Sequence, residues 1–204
     1  MRRLIPTRRA TDRRATGPSM AMRAGIIALP ILLPALAFGQ SGQEKRAALD
    51  QMLNALRTAP TEQVATMMEE KIRQFWMESG TPAVTLLMSR GLRETNSGTA
   101  SEAIAVFSDA IVLDPTLPEA WHQRAIARFK SGDTPGAVRD IQETLKLEPR
   151  HFGAWRTLER IAEARGDWKA AYDAWRHVLD IDPRTANGED KLKDLKRKAF
   201  GDNA

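Results

Sequence analysis

Three residue types recur every 34 positions in the second half of this 204-residue chain, and this period constrains the fold more than any other feature. The glycines, alanines and prolines keep one common register over three copies. The recurring residues are Gly98, Gly132 and Gly166; Ala103, Ala137 and Ala171; and Pro115, Pro149 and Pro183. A fixed period of this length is typical of solenoid proteins, in which one small supersecondary unit stacks on the next.

Each recurring residue type has a physical role in a pair of packed helices. The glycine lies between two apolar helical patterns, where a residue free to adopt positive φ ends one helix and allows a tight turn. The small alanine lets two helices approach closely, and the proline follows the second helix because it cannot continue it. The pattern predicts an all-α solenoid of three helix–turn–helix units that bury their apolar faces by stacking.

The repeated residues resemble the tetratricopeptide repeat, whose pattern is W-x2-L-G-x2-Y, then A-x3-F, then P. The residues at these positions are Leu87, Gly91, Ala103, Phe107 and Pro115 in the first copy, Trp121, Ala125, Ala137, Ile141 and Pro149 in the second, and Trp155, Leu158, Ala171, Trp175 and Pro183 in the third. The aromatic residue of the pattern's first helix, three positions after its glycine, is missing from every copy.

A second resemblance is to small exported repeat proteins of alphaproteobacteria, and it covers about residues 49–183. The matching residues are Trp76, Ser79-Gly80, Leu86 to Leu92 and Glu148 to Ala154. This resemblance implies a location in the cell envelope but no settled biochemical activity.

The period divides the chain into three repeats, predicted over residues 83–117, 118–151 and 152–185. Residues 40–82 lack the glycine and alanine columns and are predicted to form an N-terminal capping helix pair. Residues 186–204 are predicted to form a C-terminal capping helix and tail. In the N-terminal pair, Thr61 is expected to be a helix N-cap, and an apolar stripe follows it at Val64, Met68, Ile72 and Phe75. Thr81 and Pro82 are expected to be the N-cap and first residue of the next helix. At the C-terminus, the residues expected to cover the last repeat are Leu192, Leu195 and Phe200.

The first 39 residues are typical of a secretory signal peptide. They hold seven arginines and one acidic residue, and a 15-residue apolar run, 24–38, follows the last arginine. This run is shorter than the roughly 20 residues that a stable membrane span needs. The true start of the chain is alternatively Met20, and an uncleaved membrane anchor is the other interpretation. Residues 40–204 carry 24 basic and 25 acidic side chains, so the basic charge belongs to the leader.

The sequence offers little chemistry. The absence of cysteine excludes disulfides, thiolate metal sites and thiol nucleophiles. None of His122, His151 and His177 forms a metal-binding pair with another, and His122 is expected at the surface or in a groove. The pair Glu69-Glu70 is expected to be solvated. We therefore predict no enzyme activity, no cofactor and no metal.

Nucleic acid is also excluded as a partner, because no aromatic residues accompany the basic C-terminal charges.

The concave surface, lined by the first helix of each repeat, is the candidate site for a protein or peptide partner. Helical spacing places on it, in order along the chain, Met88, Leu92, His122, Ile126, Phe129, Arg156, Arg160 and Glu163. This groove is expected to run from apolar in the first repeat to cationic in the third. Outside it, Arg124 and Asp140 are expected to form an ion pair within the second repeat.

These features predict a periplasmic scaffold or assembly factor that recognises a peptide or partner helix without covalent chemistry. The alternative is an envelope-anchored structural organiser that keeps its signal and self-associates through its convex face. No membrane contact beyond the signal segment is expected.

Overall fold

The structure is a computed structural model that describes the backbone of residues 34–201 and the side chains from residue 42 to residue 201. Residues 34–201 form α-helices joined by short turns. In chain order these are α1 Pro34–Arg57, α2 Glu62–Glu78, α3 Pro82–Ser97, α4 Ala100–Leu113, α5 Pro118–Lys130, α6 Thr134–Leu147, α7 Phe152–Ala164, α8 Trp168–Ile181 and α9 Gly188–Phe200. The all-α solenoid predicted from the sequence is confirmed.

The leader predicted over residues 1–39 lies outside the described residues as far as residue 33, and its last six residues begin α1. No helix in the described part of the chain is both long enough and apolar enough to cross a membrane.

The turns of the repeats form as the glycine column predicts. Gly98, Gly132 and Gly166 adopt φ of 85°, 90° and 70°, which is the left-handed region that residues with a side chain rarely enter. Each turn joins the two helices of one repeat: α3 to α4, α5 to α6 and α7 to α8. We call these six helices the repeat body.

Small residues set the distance between the paired helices. The three recurring alanines are fully buried. In the first repeat, a Cβ at Gly91 would collide with the ring of Phe107, so glycine is needed where α3 crosses α4. The predicted caps also form: Thr61 accepts a hydrogen bond from the amide of Val64, and Thr81 accepts one from the amide of Val84.

The N-terminal pair α1–α2, which we call the hairpin, folds back over the repeat body. One apolar cluster joins Leu56 of α1 and Ile72 and Trp76 of α2 to Phe152 of α7 and Ile181 of α8. Met77 of α2 packs on a separate cluster within the first repeat and α5. The hairpin therefore touches the first and the third repeats and lies across the concave surface.

At the other end, α9 packs on α8 and covers the last repeat. Leu195 is fully buried there, Leu192 is half-buried, and Phe200 lies edge-on against Tyr172 with half of its side chain exposed.

Candidate functional site

The predicted groove residues lie in two sets at different depths. Met88, His122 and Arg156 occupy equivalent positions of α3, α5 and α7, and we call them the inner row. Leu92, Ile126 and Arg160 are the equivalent residues one helical turn later, and we call them the outer row. Phe129 and Glu163 lie a further turn along α5 and α7.

The hairpin covers the inner row. Met88 is fully buried, in the apolar cluster on which Met77 of α2 packs. Arg156 donates hydrogen bonds to both carboxylate oxygens of Glu69 in α2, one of them with a length of 2.8 Å. The expectation that Glu69 is solvated was wrong for this residue, since only 7 % of it is exposed.

His122 is also buried beneath the hairpin, which corrects the expectation of a surface or open-groove position. Its ring lies edge-on to His151 at 4.6 Å, and His151 in turn stacks on Trp76 of α2 at 4.0 Å. Arg156 therefore contacts α2 directly, Met88 lies in a cluster on which α2 packs, and His151 lies between His122 and α2.

The outer row remains accessible. Leu92, Ile126 and Phe129 are half-buried, and Arg160 is exposed. Glu163 is half-buried, and Lys191 of α9 donates a hydrogen bond to it over 3.4 Å. A cavity of about 430 Å³ opens beside this row, and Leu92 and Gln123 of the body and Met77 of α2 are among its lining residues.

A buried cluster of Glu119, His122 and His151 lies between the repeat body and the hairpin. His151 Nε2 donates to Glu119 Oε2 over 2.8 Å, and His122 Nδ1 lies 3.4 Å from the same oxygen. Burial opposes ionisation of Glu119, but the charge on His122 and the hydrogen bonds from both rings hold its pKa well below the usual range. Burial, together with the nearby charge of His122, lowers the pKa of His151.

These three side chains place ligand atoms close enough to suggest a metal site. The protonation of His151 argues against one. Its Nδ1 accepts a hydrogen bond from the amide of Ala154 over 3.1 Å, so Nε2 must carry the proton of the neutral ring. That nitrogen then has no lone pair for a cation. The cluster favours a hydrogen-bonded network over metal coordination.

A second buried polar cluster surrounds Glu69. The side chains of Arg156 and Arg73 bind its carboxylate, and Asp182 lies next to both Glu69 and Arg156, with Oδ2 3.6 Å from the guanidinium. Burial and the Glu69 carboxylate raise the pKa of Asp182 to about 7. Burial opposes ionisation of Glu69, yet the hydrogen bonds and charge of Arg156 help to lower its pKa to about 2. Asp182 is therefore the carboxyl of this cluster that holds a proton most readily.

Comparison with known proteins agrees with the repeat pattern. No protein-family model matches the chain. A TPR repeat-containing protein of Rhizobium etli is 29 % identical over 153 residues, which is 75 % of this chain and 75 % of the relative. The crystal structure of the Sgt2 TPR domain from Aspergillus fumigatus aligns with a TM-score of 0.55 and 25 % identity, covering 60 % of this chain and 83 % of that domain.

The chain is similar to tetratricopeptide repeat proteins in both sequence and fold. Its fold also matches the first TPR of Spaghetti (RPAP3) bound to the HSP90 peptide SRMEEVD, with a TM-score of 0.54 and 19 % identity over 58 % of this chain and 94 % of that one. In this protein the inner row of the groove is covered by the chain's own second helix.

Sequence reasoning missed the residues through which the hairpin holds the groove. These are Glu69 and Trp76 of α2, with His151 and Asp182 of the repeats. The spacing Glu69, Ile72, Trp76 places all three on one face of α2, so the signal was present. Nothing in the sequence, however, showed that this face meets a helix more than 75 residues downstream.

Proposed function

We propose that the protein is an interaction scaffold or assembly factor of the periplasm that binds a peptide or partner helix in its concave groove. The observation that carries this proposal is the accessible outer row, in which apolar Leu92 and Ile126 lead to the exposed cation Arg160. Such a surface suits a partner with apolar side chains at one end and an acidic group at the other.

The relatives support the interaction class. Structural neighbours include a TPR domain bound to an HSP90 peptide, and a curated relative 33 % identical over 88 residues is a tetratricopeptide repeat and J domain-containing co-chaperone of Fusarium oxysporum. That match covers 43 % of this chain and 17 % of the co-chaperone, so it supports recognition of proteins in general and no particular partner.

The periplasmic location rests on the arginine-rich, then apolar, residues 1–39. The same experiment can test location and binding. The protein is crosslinked in intact cells, recovered from the fractionated envelope, sequenced from its N-terminus, and its captured partners are identified. We expect a mature chain that begins after residue 39. Recovery of a chain that still contains Arg23 would contradict a soluble periplasmic protein.

The binding arm compares wild type with Arg160→Glu. Arg139→Glu is the matched control, because Arg139 is an exposed arginine on α6, a second helix of the repeats. Since reversing a charge at the rim weakens recognition of an acidic group, we expect Arg160→Glu to lose most of the captured partner and Arg139→Glu to retain it. Equal capture by both variants would show that the outer row is not the binding site.

A further inference from the structure

The contact between α2 and the repeat body is poorly satisfied in its polar groups. Among the described side chains, four buried polar atoms have no hydrogen-bond partner, and two of them lie at this contact: Trp76 Nε1 and Asp182 Oδ2. Three of the four tryptophans of the repeat body differ in this respect. Trp121, Trp155 and Trp175 each donate to a backbone carbonyl over 2.8 to 2.9 Å.

Unsatisfied buried groups make a contact weaker than its apolar area suggests. Each such group has lost its hydrogen bonds with water without gaining one from the protein. The hairpin is nevertheless held closed, because a short connection through Ser79, Gly80 and Thr81 joins α2 to α3. A short tether gives α2 an effective concentration of the order of millimolar, so a weak contact stays formed.

The side chains of the inner row and their neighbours determine which side chains an occupant of this surface must carry. Arg156 is three-quarters buried and needs a carboxylate opposite it, since an unpaired buried cation is costly. Next to it, Phe152 offers an apolar surface and His151 a flat ring on which an aromatic side chain stacks. In α2 these needs are met by Glu69, Ile72 and Trp76, at positions i, i+3 and i+7 of one helix face.

We propose that α2 is a displaceable occupant of the inner row, and that the partner of this surface is an amphipathic helix with an acidic residue, an aliphatic residue three positions later and a large aromatic residue seven positions later. This inference rests on the proposed function and names the partner class for the same groove. A partner helix that leaves no buried polar group unsatisfied gains free energy that α2 does not, and so competes with the tethered helix.

The test uses a fluorescein-labelled synthetic peptide of residues 61–79 as the probe and the full chain as the receptor. Glu69→Arg breaks the contact with Arg156 and should release α2, whereas the control Glu70→Arg changes an exposed neighbour that pairs only with Arg73. By fluorescence anisotropy we expect the Glu69→Arg chain to bind the peptide at least about 100-fold more tightly than wild type. Glu70→Arg should match wild type.

A charge swap separates release of α2 from general unfolding. In Glu69→Arg/Arg156→Glu the hairpin should close again, because the guanidinium introduced on α2 faces both the carboxylate introduced on α7 and Asp182. A matching peptide that also carries Glu69→Arg would suit the swapped groove, and its binding should then be as weak as that of the original peptide to wild type. The proposal is overturned if Glu69→Arg binds the peptide no better than wild type, if Glu70→Arg binds equally well, or if the charge swap leaves binding of the matching peptide high.

These outcomes are independent of the capture experiment with Arg160→Glu. Peptide binding by Glu69→Arg with unchanged capture by Arg160→Glu would refute the outer row as the site of the proposed function and keep the displaceable helix. If instead Glu69→Arg binds the peptide no better than wild type and Arg160→Glu loses the captured partner, the outer row remains the site of the proposed function and α2 is a fixed part of the fold.

Discussion

Single residues show how far charge pairing can be inferred from spacing. The pair expected between Arg124 and Asp140 is confirmed as a two-point contact, with distances of 2.8 and 2.9 Å, and Arg128 joins it at 2.9 Å. The two residues lie 16 positions apart in one helix–turn–helix unit, whose geometry is fixed by local sequence. Arg156 and Glu69 also form a two-point contact, but they lie 87 residues apart, and no pattern of neighbouring residues predicts that they meet.

Asp182 allows a prediction, at the scale of one residue, of how the stability of the protein depends on pH. Its pKa in the folded chain is raised to about 7, above the ordinary 3.8, so its contribution to stability is fully present below about pH 4 and is lost as the pH rises towards 7. Asparagine stays neutral at every pH and still accepts the bond from the Arg184 amide through Oδ1. We expect Asp182→Asn to be more stable than wild type at pH 8.

Urea denaturation at several pH values checks this expectation. The difference in unfolding free energy between Asp182→Asn and wild type should increase from about pH 4 to about pH 7 and then stay constant. A difference that is the same at both ends of this range would show that Asp182 does not carry the raised pKa.

At the scale of the helix, the sequence predicted where helices begin and end better than it predicted which face of a helix is buried. The N-caps at Thr61 and Thr81 and the glycine turns depend on neighbouring residues, and they form as expected. The apolar stripe expected on α2 was displaced: Val64 is exposed and Met68 and Phe75 are half-buried, whereas the buried residues are Ala65, Glu69, Ile72 and Trp76. The buried face of α2 is set by distant helices, so its own periodicity was not sufficient to define it.

Helix α9 allows an element-scale prediction, because one residue dominates its contact with the last repeat. Leu195 is fully buried against α8, while its neighbour Lys196 is exposed. Leu195→Ala removes buried apolar volume and should lower the free energy of unfolding by about 2–4 kcal/mol. Lys196→Ala, the control on the same turn, should change it by less than about 0.5 kcal/mol. Equal effects in chemical denaturation would show that α9 does not cover the repeat through Leu195.

At the scale of the whole molecule, the stacked repeats were predictable and the position of the hairpin was not. Adjacent repeats touch through residues that are close in sequence, which is why a 34-residue period alone defines the stack. The hairpin was expected to cap the array, and its two helices do form. Contacts such as Asp50 with Arg150 and Glu69 with Arg156 instead place it across the concave surface, and only the assembled stack creates that site.

This difference predicts two levels of stability in one chain. The hairpin contact contains unsatisfied polar atoms and the repeat body is closely packed, so the hairpin should open without unfolding of the body. In native-state hydrogen exchange, we expect the amides of α1 and α2 to exchange together, at lower denaturant than those of α5 to α8. One common free energy of exchange for all of these helices would contradict the expectation.

The position of the hairpin also sets an order of assembly. A chain is made from its N-terminus, so α1 and α2 exist before the helices that they cover. Phe152, Arg156 and Ile181 belong to the last repeat, and the hairpin cannot bury Ile72 and Trp76 against it until that repeat has formed. The helices α1 and α2 are thus made before the helices that they cover and are placed after them, and their apolar face stays uncovered until α8 has been made.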